Sequence, residues 1–502
     1  MSNSMRKLAG QTAVYGVSTV LVKLLNYILV PYLTRVMGQE AYGVVTHIYG
    51  IIPLALVILT MGLESGYFRF AGKADSHDQK QHVFATAWGI VSLASALFLA
   101  LVLLFLNPVS RAIGYDTHPS FVWMTAAIIA LDAFTAVPFA RLREQQQAGR
   151  YVFLRLVSVV VNLLFCFFFY GWLPRLADSS GIFASLYSAD AGPGYVFAAN
   201  LIASFVTMLL IIPMCGRIYP KITPSLARQI LLYSLPLLLS GIAGTANEFI
   251  DRQMVLCFIP GSPEEALQQL GIYGAVLRLG VVMTLFTSMY RLAAEPFFLA
   301  EFKGDDFRKT NAEAMKYFVI VSIFIFLVIA LFSDLFALIL GRDFRQGVHI
   351  LPLILLANMF SGIVLNLSFW YKQSGATRFA IYITGLGLIF TVILNIILVP
   401  AWGYTGAAVA RLVCEIAMVV FSYALNRKYC PVPYDLRRIG TYFLFGAALY
   451  FAGISCHQLP LWPRYLICFA LVVIFALCSL KKEHIDVSGM VRHLLARNSK
   501  NS

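Results

Sequence analysis

Runs of about 20 apolar residues recur from one end of this chain to the other, and they constrain its fold more than any other feature. An α-helix needs about 20 such residues to cross a bilayer. Apolar residues make up 60% of the chain and charged residues 12%, whereas a soluble domain carries about 25% charged residues. The strict alternation of a transmembrane β-strand is absent. We therefore predict an all-α polytopic membrane protein.

About fourteen of these runs are long enough to be transmembrane helices. The first follows a cationic start, but it is too long for a signal peptide and lacks a small-residue cleavage site, so we expect it to be retained. Numbered in chain order, the predicted spans are 10–32, 43–63, 83–106, 119–140, 151–172, 194–214, 229–250, 272–292, 317–340, 350–370, 379–399, 404–425, 438–457 and 463–480.

Residues 42–64 and residues 273–295 share several residues at identical spacing, at an offset of 231 residues. This predicts an internal duplication, with two six-helix lobes (spans 1–6 and 7–12) in parallel repeat about a pseudo-twofold axis. We place the N-lobe at 1–220, the C-lobe at 221–430, two additional spans at 431–480 and a tail at 481–502. The matching positions are Tyr42/Tyr273, Gly43/Gly274, Val45/Val276, Leu54/Leu285 and Glu64/Glu295.

Lysine and arginine are distributed unevenly between the two sides of the predicted membrane. If the N-terminus is cytoplasmic, 26 of the 38 lie in cytoplasmic segments and 7 in outer segments. Because cytoplasmic loops carry the excess of positive charge, we predict that both termini are cytoplasmic. The net charge of +14 fits this bias and an anionic lipid surface, and we do not interpret it as nucleic-acid binding.

The loops argue against an enzyme. The longest outer loop, residues 173–193, is mainly Ser, Gly and Ala with the two acids Asp178 and Asp190. No phosphate-binding Gly-rich loop is present, and the eight Cys and eight His show no metal-ligand spacing. We expect no cofactor and no metal, which leaves a transporter, a channel or a scaffold.

Four cationic or titratable residues within spans are candidates for a binding site, because intramembrane charges are costly and usually functional. Lys23 and Arg278 have no acid on their own helix, and Arg411 lies roughly 12 Å inside the outer end of span 12. His47 occupies the position in the first repeat that Arg278 occupies in the second. We predict that these residues line a positive cavity for a phosphate or pyrophosphate.

Other charged residues within the spans could pair with a neighbour on their own helix instead of binding a ligand. Arg291 with Glu295, Glu248 with Arg252, and Arg411 with Glu415 stand four residues apart and could pair on one helix. Coupling to H+ or Na+ would need a carboxylate, and Asp132 is the most deeply placed. The candidates for ion coupling are Asp132, Glu64, Asp251 and Glu295.

Several motifs, taken in order, resemble the polysaccharide-repeat flippases (O-antigen or capsule type) of the multidrug/oligosaccharidyl-lipid/polysaccharide exporter superfamily. The resemblance implies a central cavity, alternating access, and a substrate built of an oligosaccharide repeat unit on undecaprenyl pyrophosphate. It implies transfer from the inner to the outer leaflet of the bacterial inner membrane, for surface polysaccharide or lipopolysaccharide biosynthesis. The motifs are residues 34–43 (TRVMGQEAYG), 247–252 (NEFIDR), 270–274 (LGIYG), 375–377 (GAT), 395–400 (NIILVP) and 403–408 (GYTGAA).

The resemblance also suggests partners and leaves alternatives open. Asn26, Asn162 and Asn247 become candidates for contacts with sugar hydroxyls, although a buried Asn is as often a link between helices. Membrane lipids, a polysaccharide polymerase and glycosyltransferases become candidate partners. One alternative is a lipid-linked peptidoglycan-precursor flippase, which would need more arginines in its cavity. Another is a membrane-embedded glycan polymerase or ligase, which would need a large outer catalytic loop.

Overall fold

The computed structural model describes residues 20–177, 187–188, 192–216, 218–300, 305–373, 376 and 378–483, and these residues form helices and turns without any strand. Residues 20–27 are helical and lead into α1. The α-helices of eight residues or more are α1 (Leu29–Val36), α2 (Gln39–Thr60), α3 (Leu63–Gly72), α4 (His77–Leu104), α5 (Pro119–Glu144), α6 (Ala148–Phe167), α7 (Gly194–Ile211), α8 (Pro224–Phe258), α9 (Pro263–Leu279), α10 (Val281–Ala300), α11 (Asp305–Leu331), α12 (Leu351–Leu367), α13 (Arg378–Tyr429), α14 (Leu436–Ser455) and α15 (Leu461–Lys482).

The all-α, multi-pass membrane fold is confirmed. Among the described residues, ten helices are long and apolar enough to cross a membrane, or eleven if the bent pair α9 and α10 forms one span. Helices lie at the positions predicted for spans 2 to 14, and residues 10–19 of span 1 lie outside the described residues. The count of fourteen and the cytoplasmic position of the termini stay predictions.

Helix α13 contains two predicted spans in a single run of 52 residues. Gly403 interrupts it with φ 56° and ψ −140°, a backbone conformation that glycine adopts at little cost. Just beyond it, a Cβ added to Gly406 would lie 2.2 Å from the Leu398 carbonyl oxygen. Spans 11 and 12 are therefore joined by a tight glycine turn instead of a loop.

The stretch predicted as span 8, residues 272–292, is two helices in the structure. Helices α9 and α10 meet at Gly280 with a bend of 46°. A Cβ at Gly280 would lie 2.6 Å from Ile354 Cγ2, so a larger residue does not fit. Asn358 Nδ2 donates a hydrogen bond of 3.1 Å to the Gly280 carbonyl, which replaces a bond that the bend removes from the helix.

The two segments of the predicted repeat, in α2 and α9, pack against each other. Each approach is so close that an added Cβ would lie 1.9 to 2.3 Å from the partner helix, which only glycine allows. The contacts join residues 224 to 232 apart in the chain, close to the repeat offset of 231. The two helices that carry the predicted repeat therefore contact each other at positions close to equivalent in the two copies. The contacts are Gly43 with Leu267, Gly271 with Gln39, and Gly274 with Thr46.

The last two spans attach to the C-lobe at α11. Gly446 of α14 lies against Ile323, and Gly453 lies against Leu331, with distances of 2.5 and 2.3 Å from an added Cβ. At the end of α15, Glu483 pairs with Lys316 of α11. Helices α14 and α15 are thus fixed to the outside of the C-lobe, away from α2 and α9.

Candidate functional site

Two contiguous cavities lie between the first two helices of the N-lobe and the helices of the C-lobe. The larger, about 430 Å³, is called here the polar chamber, and the smaller, about 290 Å³, the cationic chamber. Volumes of this order are typical of small-molecule sites. The residues that line both chambers are Lys23, Glu248, Thr284, Asn358 and Arg411.

The cationic chamber brings together residues from both lobes. Arg252 of α8 and Arg278 of α9 line it together with Lys23 and Arg411. The Nη1 atom of Arg252 and the Nε atom of Arg411 are buried and have no hydrogen-bond partner. A buried donor without an acceptor is costly, and an oxyanion would satisfy both. This chamber is therefore suited to an anion with several oxygens.

Lys23 connects the two lobes at the border of the chambers. Its Nζ donates a hydrogen bond of 3.3 Å to Ser288 Oγ on α10. Lys23, Arg278 and Arg411, which are three of the four cations predicted from the sequence, thus face one continuous space.

Arg411 pairs with a residue on another helix. Its Nη1 lies 3.0 Å from Asp251 Oδ2 on α8, instead of pairing with Glu415 on its own helix. The Tyr273 hydroxyl donates to the same Oδ2 at 2.7 Å, and the Arg252 backbone N–H donates to Oδ1 at 2.8 Å. Asp251, only 1% exposed, therefore orients Arg411 and lies behind the chamber wall.

His47, the fourth predicted cation, lines neither chamber. It is 3% exposed and lies between two hydrogen-bonding side chains. Its Nδ1 is 2.8 Å from the Tyr115 hydroxyl, and its Nε2 is 2.9 Å from Gln253 Oε1. Since Gln253 belongs to α8, His47 links the N-lobe to the C-lobe through polar contacts.

The candidate asparagines separate into two groups. Asn26 lines the cationic chamber and Asn247 lines the polar chamber, where its Oδ1 accepts a 3.1 Å hydrogen bond from Thr391. Asn162 is on α6 and outside both linings, with its Oδ1 3.8 Å from the Cys166 thiol. The two chamber asparagines come from different lobes.

Two of the carboxylates considered for ion coupling, Asp132 and Glu64, line neither chamber. Asp132 accepts a 2.7 Å hydrogen bond from Ser204, between α5 and α7 of the N-lobe. Glu64, in the first turn of α3, pairs with Arg143 at 2.7 Å. The side chain of Glu295 lies outside the described residues. Asp132 therefore has a neutral partner, whereas Glu64 and Asp251 are paired with arginines.

Much of the polar lining is not evident from the sequence. Pairing on one helix was left open for four charged residues that all line the chambers, namely Glu248, Arg252, Arg291 and Glu415. A usable signal was present on α10, where polar residues recur at the i, i+3, i+4 and i+7 positions of one helix face. These residues are Thr284, Thr287, Ser288 and Arg291.

Both lobes also meet at the outer end of α1, on the side predicted to face away from the cytoplasm. Arg35 Nη2 donates to the Leu338 carbonyl at 2.8 Å, and Gln39 Nε2 donates to the Asp343 carbonyl at 2.6 Å. The Gly341 N–H donates to Thr34 Oγ1 at 3.0 Å. We call these contacts the outer latch, because they hold the 338–343 segment of the C-lobe against the N-lobe.

Comparisons with known proteins agree with this architecture. The family model described as "Polysaccharide biosynthesis protein" matches residues 8–299. A similar protein is "Lsg locus putative protein 1" of Haemophilus influenzae, which is 23% identical over 387 residues, 73% of this chain and 86% of that protein.

Solved structures show the same fold. The lipid II flippase MurJ in an inward closed conformation has a TM-score of 0.72 at 14% identity, covering 94% of this chain and 99% of that one. An inward-facing multidrug resistance MATE family transporter of the MOP superfamily has a TM-score of 0.65 at 15% identity, covering 81% and 94%. An outward-facing MATE structure has a TM-score of 0.57 at 15% identity, covering 85% and 98%.

Proposed function

This chain belongs to the polysaccharide biosynthesis protein family, and we propose on that premise that it is a flippase for lipid-linked oligosaccharide repeat units. It carries units on undecaprenyl pyrophosphate from the inner to the outer leaflet of the bacterial inner membrane, for a surface polysaccharide of the O-antigen or capsule type. The family and the fold are those of transporters, which argues against an enzymatic role such as glycan polymerase or ligase.

The observation that carries this proposal is the cationic chamber between the lobes. Arg252, Arg278 and Arg411 present guanidinium groups to one small space, and Lys23 stands at its border. Guanidinium groups bind phosphate oxygens in pairs of parallel hydrogen bonds, so a pyrophosphate is a suitable guest. The sugar-bearing head crosses inside the protein while the prenyl tail stays in the lipid.

Alternating access would occur about the α2–α9 contact, where the two predicted repeats pack against each other. In this proposal the outer latch closes the outward path, and breaking it opens the chambers to the outer leaflet. The latch bonds to backbone carbonyls, so its rupture separates no ion pair. The cost of opening is then a small number of hydrogen bonds, each worth about 1 kcal/mol.

Energy coupling and partners form a further part of the proposal. Asp132 is our candidate for coupling to H+ or Na+, since its neutral partner Ser204 does not fix its charge. A polysaccharide polymerase and glycosyltransferases are the expected partners, with α14 and α15 available on the outside of the C-lobe. The flippase proposal does not depend on either point and would stand if either were wrong.

A lipid-linked peptidoglycan precursor is the second candidate substrate. The sequence analysis expected too few arginines in the cavity for it, but Arg252 and Arg291 also line the chambers. Because both substrates carry a pyrophosphate, the cationic chamber does not distinguish between them. The two candidates differ in the phenotype of a deletion strain.

The test is deletion of the gene, followed by lipid extraction and analysis of the surface glycan. We expect undecaprenyl-pyrophosphate-linked repeat units to accumulate on the inner leaflet and the surface glycan to be lost, with recovery when the full chain is restored. Accumulation of peptidoglycan precursors with cell lysis would instead support the second candidate. Single repeats that reach the outer leaflet but remain unjoined would contradict the proposal and indicate a polymerase.

A further inference from the structure

An apolar groove runs along the N-terminal part of α8, where the C-lobe lies against the N-lobe. It has a volume of about 440 Å³ and shares no lining residue with either chamber. We call it the seam groove. Residues of one face of α8 form one side of it, and Met61 of the N-lobe forms part of the other. The α8 residues used below are Ala227, Arg228, Leu231 and Leu235.

The seam groove lies beside a close contact between α3 and α8. A Cβ added to Gly66 would lie 2.6 Å from Ser234 Oγ, and one added to Gly62 would lie 3.1 Å from the Ser234 carbonyl oxygen. Met61 directly precedes this contact, between the end of α2 and the start of α3. A molecule in the seam groove therefore contacts both lobes, and it touches the N-lobe where the helix of its second span is broken.

The seam groove is open to the lipid around the protein and has a charge at one end. Leu232 and Leu235 are 62% and 52% exposed, and both lie within predicted span 7. Arg228 immediately precedes that span, is exposed, and forms no ion pair or hydrogen bond with the described part of the chain. Lipid tails are as apolar as leucine, so the apolar wall alone selects no particular lipid. The arginine adds a preference for a negatively charged headgroup.

We propose that the seam groove binds an anionic phospholipid of the leaflet predicted to be cytoplasmic. Its phosphate lies at Arg228, and one acyl chain lies between Met61 and Leu235. Ala227 is buried and small, so it leaves room for the chain next to the headgroup. The lipid bridges the two lobes at the α3–α8 contact. This inference is independent of the proposed function, because the lipid is a bound partner and is not transported.

The position of the charge distinguishes a phospholipid from a lipid-linked substrate. Gly244, which lines the polar chamber, lies 16 residues beyond Arg228 on α8, roughly 24 Å along the helix at 1.5 Å per residue. A substrate whose pyrophosphate is held in the chambers would leave Arg228 without an anion. A phospholipid has its phosphate at the membrane surface, at the level where Arg228 precedes the span.

The experiment uses the full chain in vesicles of phosphatidylethanolamine. A trace of phosphatidylglycerol with a photoreactive diazirine on one acyl chain is added, and crosslinked peptides are identified by mass spectrometry. Phosphatidylethanolamine with the same photoreactive chain is the comparison lipid. The test variants are Arg228→Gln and Leu235→Trp, which fills the groove. The controls are Arg427→Gln, an exposed arginine near the end of α13, and Leu239→Trp, an exposed leucine of α8 outside the lining.

We expect phosphatidylglycerol crosslinks to concentrate on residues 224–238 and on Met61, at a higher yield than with the comparison lipid. Arg228→Gln should reduce this yield about fivefold, the effect of about one basic residue at an anionic membrane surface. Leu235→Trp should reduce it with both lipids, and the two controls should leave it unchanged. Crosslinks spread evenly over the lipid-facing helices, or an unchanged yield in Arg228→Gln, would overturn the proposal. Displacement of the crosslink by added undecaprenyl pyrophosphate would also overturn it, and would assign the groove to a prenyl chain.

Discussion

Arg411 Nη1 lies 3.0 Å from Asp251 Oδ2, and this ion pair between α13 and α8 holds Arg411 in the wall of the cationic chamber. The Asp251 side chain is 2% exposed and the Arg411 side chain is 18% exposed, so water screens the pair weakly. Asp251 also receives a hydrogen bond from Tyr273. Three helices of the C-lobe are therefore held together beside the proposed pyrophosphate site.

Replacing Asp251 with alanine should destabilise the protein by about 3–5 kcal/mol, because it leaves the Arg411 charge buried without a partner. Thermal unfolding of the purified protein in detergent would measure the loss. Asp435→Ala is the control: it removes an exposed pair with Arg438 and the N-cap of α14, where Asp435 accepts a hydrogen bond from the Arg438 N–H, and should cost only about 1–2 kcal/mol. Equal losses in the two variants would contradict a structural role for the buried pair.

Lys23→Ala and Arg278→Ala should each abolish glycan export while the protein still inserts into the membrane, because each removes a charge that faces the proposed pyrophosphate. Surface glycan and protein level in the membrane fraction are the measurements. Arg437→Ala, which removes an exposed cation at the start of α14, should retain export. Full export by both cavity variants would rule out the cationic chamber as the binding site.

Gly341→Ala should open the outer latch, since a Cβ at this position would lie 1.9 Å from the Thr34 carbonyl oxygen. Loss of about 1 kcal/mol of latch bonding should raise outside labelling of a Thr287→Cys reporter about fivefold, measured with a membrane-impermeant thiol reagent. Because Cys257 and Cys478 are exposed and can also react, labelling of the same chain without Thr287→Cys is subtracted as background. Gly385→Ala is the control, as no atom lies within 4 Å of its added Cβ. Unchanged labelling in Gly341→Ala would show that the latch does not control access.

Glu483 should make the attachment of α15 depend on pH. Burial alone would raise the pKa of Glu483, but hydrogen bonds from Lys316 and Tyr442 outweigh it and hold the pKa below its usual value. A lowered carboxyl pKa contributes stability that is fully present above the unfolded value of about 4.3 and is lost as the pH falls through the folded value. Glu483→Gln should therefore cost about 1.5–3 kcal/mol at pH 7 and nearly nothing at the acid end.

The measurement for Glu483 is the difference in unfolding free energy between the wild-type chain and Glu483→Gln from pH 7 downward. Glu313→Gln lies on the same helix as Lys316 and serves as the control, with no difference expected at either end of the range. A Glu483→Gln difference that stays constant below pH 4 would contradict the charge-based explanation.

Partner choice among charged residues was the main point at which sequence reasoning failed. The spacing of Arg411 and Glu415 suggested a pair on one helix, but Arg411 lies against Asp251, 160 residues away. The i, i+4 rule describes only neighbours on one helix, and it does not include the acids that a second helix brings near. The equivalence of His47 and Arg278 failed in the same way, because Tyr115 and Gln253 enclose His47.

The sequence by itself determined the all-α membrane fold and the approximate positions of the helices. These follow from local composition and periodicity, since a backbone in lipid must satisfy its own hydrogen bonds and does so as helices. Only the tertiary structure decided that Lys23, Arg278 and Arg411 face one continuous space, that Asp251 supports Arg411, and that Glu415 lines the polar chamber. These relationships join residues on different helices, so they depend on how closely the helices approach each other. Glycines such as Gly43 and Gly271 permit that close approach, and no local sequence pattern shows which helix will lie against them.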